Sequence, residues 1–196
     1  MDALNVTAGK PKIGGAVFRA PKTTTLPTNA TATMDSAFKS LGYCSEDGLV
    51  NANSHSSNTV KAWGGDPVLN YQDAKNDTFK FKLIEALKED VLKAVYGDEN
   101  VTGNLTSGIT IKANSKEQGE QAWVFDLSLN GGAAKRIVVP RGKVTAVGDI
   151  VYVDNKPVGY ELTISAVPDT TGQTHYEYIV AGSSNTNGGT GTGGEG

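Results

Sequence analysis

From residue 78 onward, apolar and polar side chains alternate with few interruptions. Phe79, Phe81 and Leu83 alternate with Lys80 and Lys82, which predicts a strand with one buried face and one lysine face. The period then lengthens. Ile84, Leu87, Val91, Leu92 and Val95 recur at helical spacing, with Lys88, Glu89 and Lys93 opposite, and predict a helix over residues 85–96. Gly97 follows the last apolar position and suits the helix end. A helix with one apolar stripe must lie on something, and a sheet is the surface available.

Beyond Gly103 the pattern predicts strands at residues 109–113, 123–129, 135–139, 144–153 (broken around Gly148 and Asp149) and 158–166. Asn130-Gly131-Gly132 and Asp154-Asn155-Lys156 supply turns between them. Val158, Tyr160, Leu162, Ile164 and Ala166 alternate with Gly159, Glu161, Thr163 and Ser165, which describes a strand apolar on one side and wet on the other.

The first third is less regular. Residues 1–15 are small, polar and basic and read as an arm. Residues 16–20 predict a short strand ended by Pro21, residues 23–36 an extended connector, and residues 37–41 a helical turn. Two apolar pieces, residues 41–44 and 59–63, flank the polar run from Asn51 to Asn58. This predicts two strands joined by a loop over residues 49–58 that is solvated or held by something else. Residues 183–196 hold Gly, Ser, Thr and Asn with a single Glu, and predict a flexible tail. The organisation expected is an N-terminal arm (1–15), one domain (16–182) and a tail (183–196). The fold expected is mainly β with one flanking α-helix. Its amphipathic strands outnumber what one helix can cover, so the sheet curls or packs on another and leaves free edges. Free edges pair with other chains unless blocked.

Charge and chemistry change this picture little. The net charge of −3 on 196 residues gives no sign of a nucleic-acid binder. Before Asp35 the one acid is Asp2, against Lys10, Lys12, Arg19 and Lys22; this is a solvated basic arm, or one that docks on an acidic patch of a neighbouring copy. Cys44 is alone, so no internal disulfide and no thiolate metal site can form, and it is expected to pack as a small apolar residue. No N-terminal apolar region and no run near ~18 apolar residues occurs, so synthesis and assembly in a cytoplasm are expected, with no membrane partner. His55 and His175 are far apart in polar settings and are expected to be solvated. Ser36-Ala37-Phe38-Lys39 matches the Ser-X-X-Lys nucleophile motif but lacks its companion motifs. No phosphate loop and no grouping of acid, base and nucleophile is legible, so neither catalysis, nor a cofactor, nor a metal is expected.

The order of the short motifs carries more. Leu41, Gly42, Tyr43, Ser45, Glu46, Asp47 and Gly48 form one turn, followed by the polar excursion and then Val60, Ala62, Trp63, Gly64 and Gly65. Ala20-Pro21-Lys22-Thr23-Thr24-Thr25-Leu26-Pro27-Thr28 precedes them. The strand from Phe79 with its helix, and the segments near Ile150 and Tyr160, follow. This layout resembles the major tail tube protein family of long-tailed, non-contractile bacteriophages, across roughly residues 16–180. The resemblance implies a β-sandwich or barrel of the phage tail tube type, with an N-terminal arm, a long loop and a C-terminal tail. It implies a non-enzymatic virion protein forming hexameric rings stacked into a tube. Its implied partners are further copies, the tape-measure protein, the tail terminator, and the baseplate or distal tail proteins. Viral DNA would pass down the bore without specific binding.

Such a wall should be neutral or acidic, because Lys and Arg contacts would release counterions and stall the DNA. Asp66, Asp73 and Asp149 are the lumen-facing candidates. Lys10, Lys12, Arg19, Leu49, Asn51, His55 and Asn58 are the candidates for contacts between subunits. Rival readings are a carbohydrate-binding β-sandwich, a tail terminator or a head decoration protein. A carbohydrate binder would need an exposed aromatic platform, whereas Trp63 and Trp123 sit in alternating patterns and are expected in the core.

Overall fold

A computed structural model describes residues 5–13 and 15–182 of the chain. Among these residues lie eleven strands and one α-helix. They are β1 (Lys10–Pro11), β2 (Val17–Pro21), β3 (Lys39–Ser40), β4 (Cys44–Lys61), β5 (Pro67–Leu83), α1 (Glu89–Tyr96), β6 (Val101–Asn104), β7 (Gly108–Ile111), β8 (Gln121–Ser128), β9 (Ala134–Val147), β10 (Tyr160–Ala166) and β11 (Tyr176–Val180). The fold is mainly β, as expected. Nine strands form one sheet in the order β3-β2-β8-β9-β10-β5-β4, with β1 also on β8 and β11 also on β9. All its pairings are antiparallel.

The sheet folds over on itself. Three strand spacings separate β8 from β5, about 14 Å along a flat sheet. Yet Phe79 of β5 stacks on Phe125 of β8 with ring centroids 5.4 Å apart, and Phe81 meets Trp123 at 5.8 Å. β9 makes this possible. Its first half pairs with β11 and its second half with β10, so the strand crosses from one layer to the other. The core lies between the layers, with Trp123, Phe79, Leu83, Leu162 and Ile164 sealed from solvent. The path still ends at β3 and β4, so it does not close.

The alternation read in β10 is exact to the residue, with Tyr160, Leu162, Ile164 and Ala166 buried. β8 is buried on both faces instead. Its second face, with Val124, is covered by the connector at residues 22–38, which contributes Leu26, Met34 and Phe38. The connector is therefore a lid. Arg136 pins it, donating to the Asn29 and Ala32 carbonyls at 3.2 and 2.7 Å while forking onto Asp126 at 2.6 and 2.7 Å. Residues 37–41 form one turn and then β3, not a helical turn.

The helix begins four residues later than its periodicity suggested. Residues 85–88 form a turn, because the Glu85 carboxylate is held by the Tyr43 N–H at 2.8 Å; Leu87 is left in solvent. Val91, Leu92, Ala94 and Val95 enter the core. Side chains reach the carbonyls at the helix end: Gln118 donates to Val95, Asn100 to Tyr96, and Arg19 to Lys93, which also accepts from the Gly97 N–H. Residues 148–159 are irregular rather than strand. β11 was not legible in the pattern, and the expected tail at 183–196 lies outside the described residues.

Candidate assembly surfaces

The largest departure from expectation is the segment at residues 44–83. The polar run from Asn51 to Asn58 is strand rather than loop. β4 and β5 pair along nearly their whole lengths into one hairpin whose turn is at residues 62–66. Ala62 donates to the Asp66 carbonyl at 2.8 Å, and Gly65 donates to that of Ala62 at 3.0 Å. Gly64 and Gly65 both take positive φ there, which the tight reversal requires. Residues 50–73 are exposed without interruption. Nothing but its own cross-strand bonds supports this ribbon, and isolated two-stranded ribbons are marginal in water.

The two faces of the ribbon differ. Leu49 and Asn51 pair with Phe81 and Phe79, so they share the core-side face. Farther out, that face carries Asn53, His55, Ser57 and Thr59. Val60 lies opposite Leu69, and Asn58 opposite Tyr71, on the other face, so the outer third holds an apolar cluster. Trp63 at the turn is 107% exposed, which overturns its expected place in the core; Trp123 is fully buried as expected. Sequence patterning missed Trp63 because alternation cannot tell a core strand from a ribbon edge. The available signal was Gly64-Gly65-Asp66-Pro67, a turn sequence immediately after the tryptophan.

The root of the ribbon is fastened by a buried carboxylate. Asp77 is 2% exposed. It accepts from Asn51 Nδ2 at 2.8 Å, Thr174 Oγ1 at 2.6 Å and His175 Nδ1 at 2.5 Å. Burial pushes its carboxyl up, but the hydrogen bonds from Thr174, Asn51 and His175 and the imidazole charge outweigh it and leave the group below the ordinary aspartate value. His175 therefore braces β11 to β5 and packs edge-on against Phe79 at 5.3 Å, rather than standing in solvent. His55 is exposed on β4.

Beside the root, the unclosed seam between β4 and the β1–β2–β8 layer leaves a pocket of about 250 Å³. Pro11, Val17, Cys44, Leu49, Phe125 and Leu127 line it. Residues 45–48 loop out of the ladder here, since Cys44 pairs with Leu83 and Leu49 already with Phe81. The bulge sets Glu46 on the pocket wall, with Asp47 exposed next to it. Cys44 is half-buried; burial, reinforced by the charge of Glu85, pushes its thiol up to about 11. It behaves as the packing residue expected.

The basic N-terminal residues are mostly engaged within the chain. Lys12 lies 3.7 Å from Asp126, Lys22 lies 3.5 Å from Glu120, and Arg19 pairs with Asp98. Lys10 is exposed on β1. Leu49, Asn51 and His55 share one face of β4 and Asn58 lies on the other, whereas Arg19 is committed to the helix. Asp66, Asp73 and Asp149 are all exposed but are not grouped. Asp66 is at the ribbon turn and Asp73 midway along β5. Asp149 follows Gly148, which donates to the Glu161 carbonyl at the root end. Among the described residues, no group of three or more potential ligand side chains could hold a metal ion, and no helix is long and apolar enough to cross a membrane.

The described residues thus present an exposed ribbon, two unpaired sheet edges and an open seam pocket. No curated protein matches the sequence. A family model described as Phage tail tube protein matches residues 6–188, which hold the ribbon, the helix and every strand described. The chain therefore belongs to the phage tail tube protein family.

Proposed function

We propose that copies of this chain join into rings, hexameric in the manner the family resemblance implies, and that stacked rings form the tail tube through which DNA reaches the host. The family is one of virion tail structural proteins. One observation carries the finer reading. A ribbon exposed from residue 50 to residue 73 holds Val60, Trp63, Leu69 and Tyr71 in water, and neighbouring copies would bury them. The free edges of β3 and β4 offer unpaired backbone for the same purpose. Residues 1–15 would serve as an arm rooted on the 16–182 domain through the pairing of β1 with β8. The tape-measure protein, tail terminator and distal tail proteins would cap or fill the tube, and assembly would take place in the host cytoplasm. Asp66, Asp73 and Asp149 remain the proposed acids of the bore, and no catalytic step is assigned.

Electron microscopy of the concentrated protein, with and without the residues before Gly15, tests this. Rings or filaments are expected from the full chain and fewer from the truncated one. A monomer at every concentration refutes the proposal. The exposed Trp63 gives a carbohydrate-binding reading one point in its favour. It stands on a convex turn, however, where a sugar could touch only one side, and small ligands favour concave sites. Discrete particles that bind glycans would support that reading instead.

A further inference from the structure

Building on the self-assembly reading, we propose that Trp63 of one copy seats in the seam pocket of the next, with Lys61 meeting Glu46 and Asp47 at its mouth. Three observations lead there. The indole is fully exposed, on a turn where its own chain offers no cover. The pocket opens toward core side chains, Val17 and Phe125, that are otherwise sealed, and its volume of about 250 Å³ suits an indole ring. The charges complement each other: Lys61 is two residues from the tryptophan, and Glu46 and Asp47 lie on the bulge at the pocket.

The occupant has to come from another molecule. Leu49 lines the pocket, and twelve residues of extended ribbon separate it from Lys61, a span of about 40 Å. The exposure of residues 50–73 shows that the ribbon does not fold back on its own body. Knob and hole are therefore different surfaces of one chain. Contacts of that kind are head-to-tail: each copy that fills a neighbour's pocket leaves its own pocket for the next, so the contact propagates into a ring or a filament. Tryptophan is the residue type that most often dominates an interface when it enters a desolvated pocket.

The test compares the 196-residue chain with its W63A, W63F, E46K/D47K and K61E/E46K/D47K variants. Sedimentation and electron microscopy read assembly, and circular dichroism confirms folding. All substituted positions are solvent-exposed, so the fold is expected to survive. W63A should raise the concentration needed for assembly at least roughly 30-fold, the scale of a hot-spot truncation. W63F should recover part of the loss. E46K/D47K should weaken assembly, and adding K61E should restore it. Trp123 is buried in every state, so a blue shift of the total tryptophan emission on assembly reports Trp63 leaving water. If W63A assembles like wild type, or the emission does not shift in assembled material, the proposed contact is wrong while self-assembly stands. If wild type never assembles, both fall together.

Discussion

Replacing Asp77 with alanine removes the acceptor that three elements share at the root of the ribbon. Asn51 of β4, and Thr174 and His175 ahead of β11, all donate to this carboxylate over 2.5–2.8 Å. A hydrogen bond to a charged acceptor contributes about 1.5–3 kcal/mol. Three do not simply add, since Asn51 keeps the Thr78 carbonyl at 3.1 Å and His175 reaches solvent at one edge. The expected cost at pH 7 is about 3–5 kcal/mol, below the sum of three separate bonds to a charged acceptor. The pH dependence has a definite sign. The folded carboxyl lies below its unfolded value, so it binds its proton less readily when folded. Its contribution is full above the unfolded value, about 3.9, and is lost as pH falls through the folded value. Urea unfolding of wild type and D77A at pH 7, 5, 4 and 3 measures this. The two should differ by the full amount at pH 7 and 5, and the gap should begin to narrow below about pH 4 as the wild-type carboxyl takes up its proton. A gap under about 1 kcal/mol at pH 7, or one that stays constant to pH 3, would refute the role given to Asp77.

D126A strands the Arg136 guanidinium under the connector. It should cost about 3–5 kcal/mol and speed amide exchange in residues 22–38; unchanged exchange there would show that Arg136 does not pin the lid. A Cβ at Gly142 would meet Trp123 Cδ1 at 2.5 Å and Nε1 at 2.9 Å, so G142A should destabilise by about 1–3 kcal/mol in thermal or urea melts and broaden the Trp123 signal. With its thiol near 11, Cys44 carries about one thiolate in a thousand at pH 8, so alkylation should be slow on the folded chain and run some hundred-fold faster in denaturant. Equal rates would mean that the thiol is not buried as described.

A strand was legible where it has one face in the core and one in water. In β10 the alternation of Tyr160, Leu162, Ile164 and Ala166 with polar neighbours is the burial pattern itself. Alternation failed where burial did not depend on the strand's own period. β8 is covered on both faces, so Val124 and Asp126 are as buried as Trp123. β4 is covered on neither face beyond its root, so a run of Asn and Ser reads as loop although the ladder with β5 holds it extended. His175 looked solvated because its partner, Asp77, is 98 residues away in sequence.

The chain's own order of residues determined that it is mainly β, where most strands of the last third and the one helix lie, and that no catalytic grouping is legible. These follow from local periodicity and residue type, which act within a few neighbours. The tertiary structure alone decided that the sheet stays open, that the seam leaves a pocket into the core, and that Trp63 stands in water some 40 Å from that pocket. Those facts depend on which strands find each other across the chain, and side-chain alternation is the same whether the face that would cover it belongs to this molecule, to a neighbour, or to solvent.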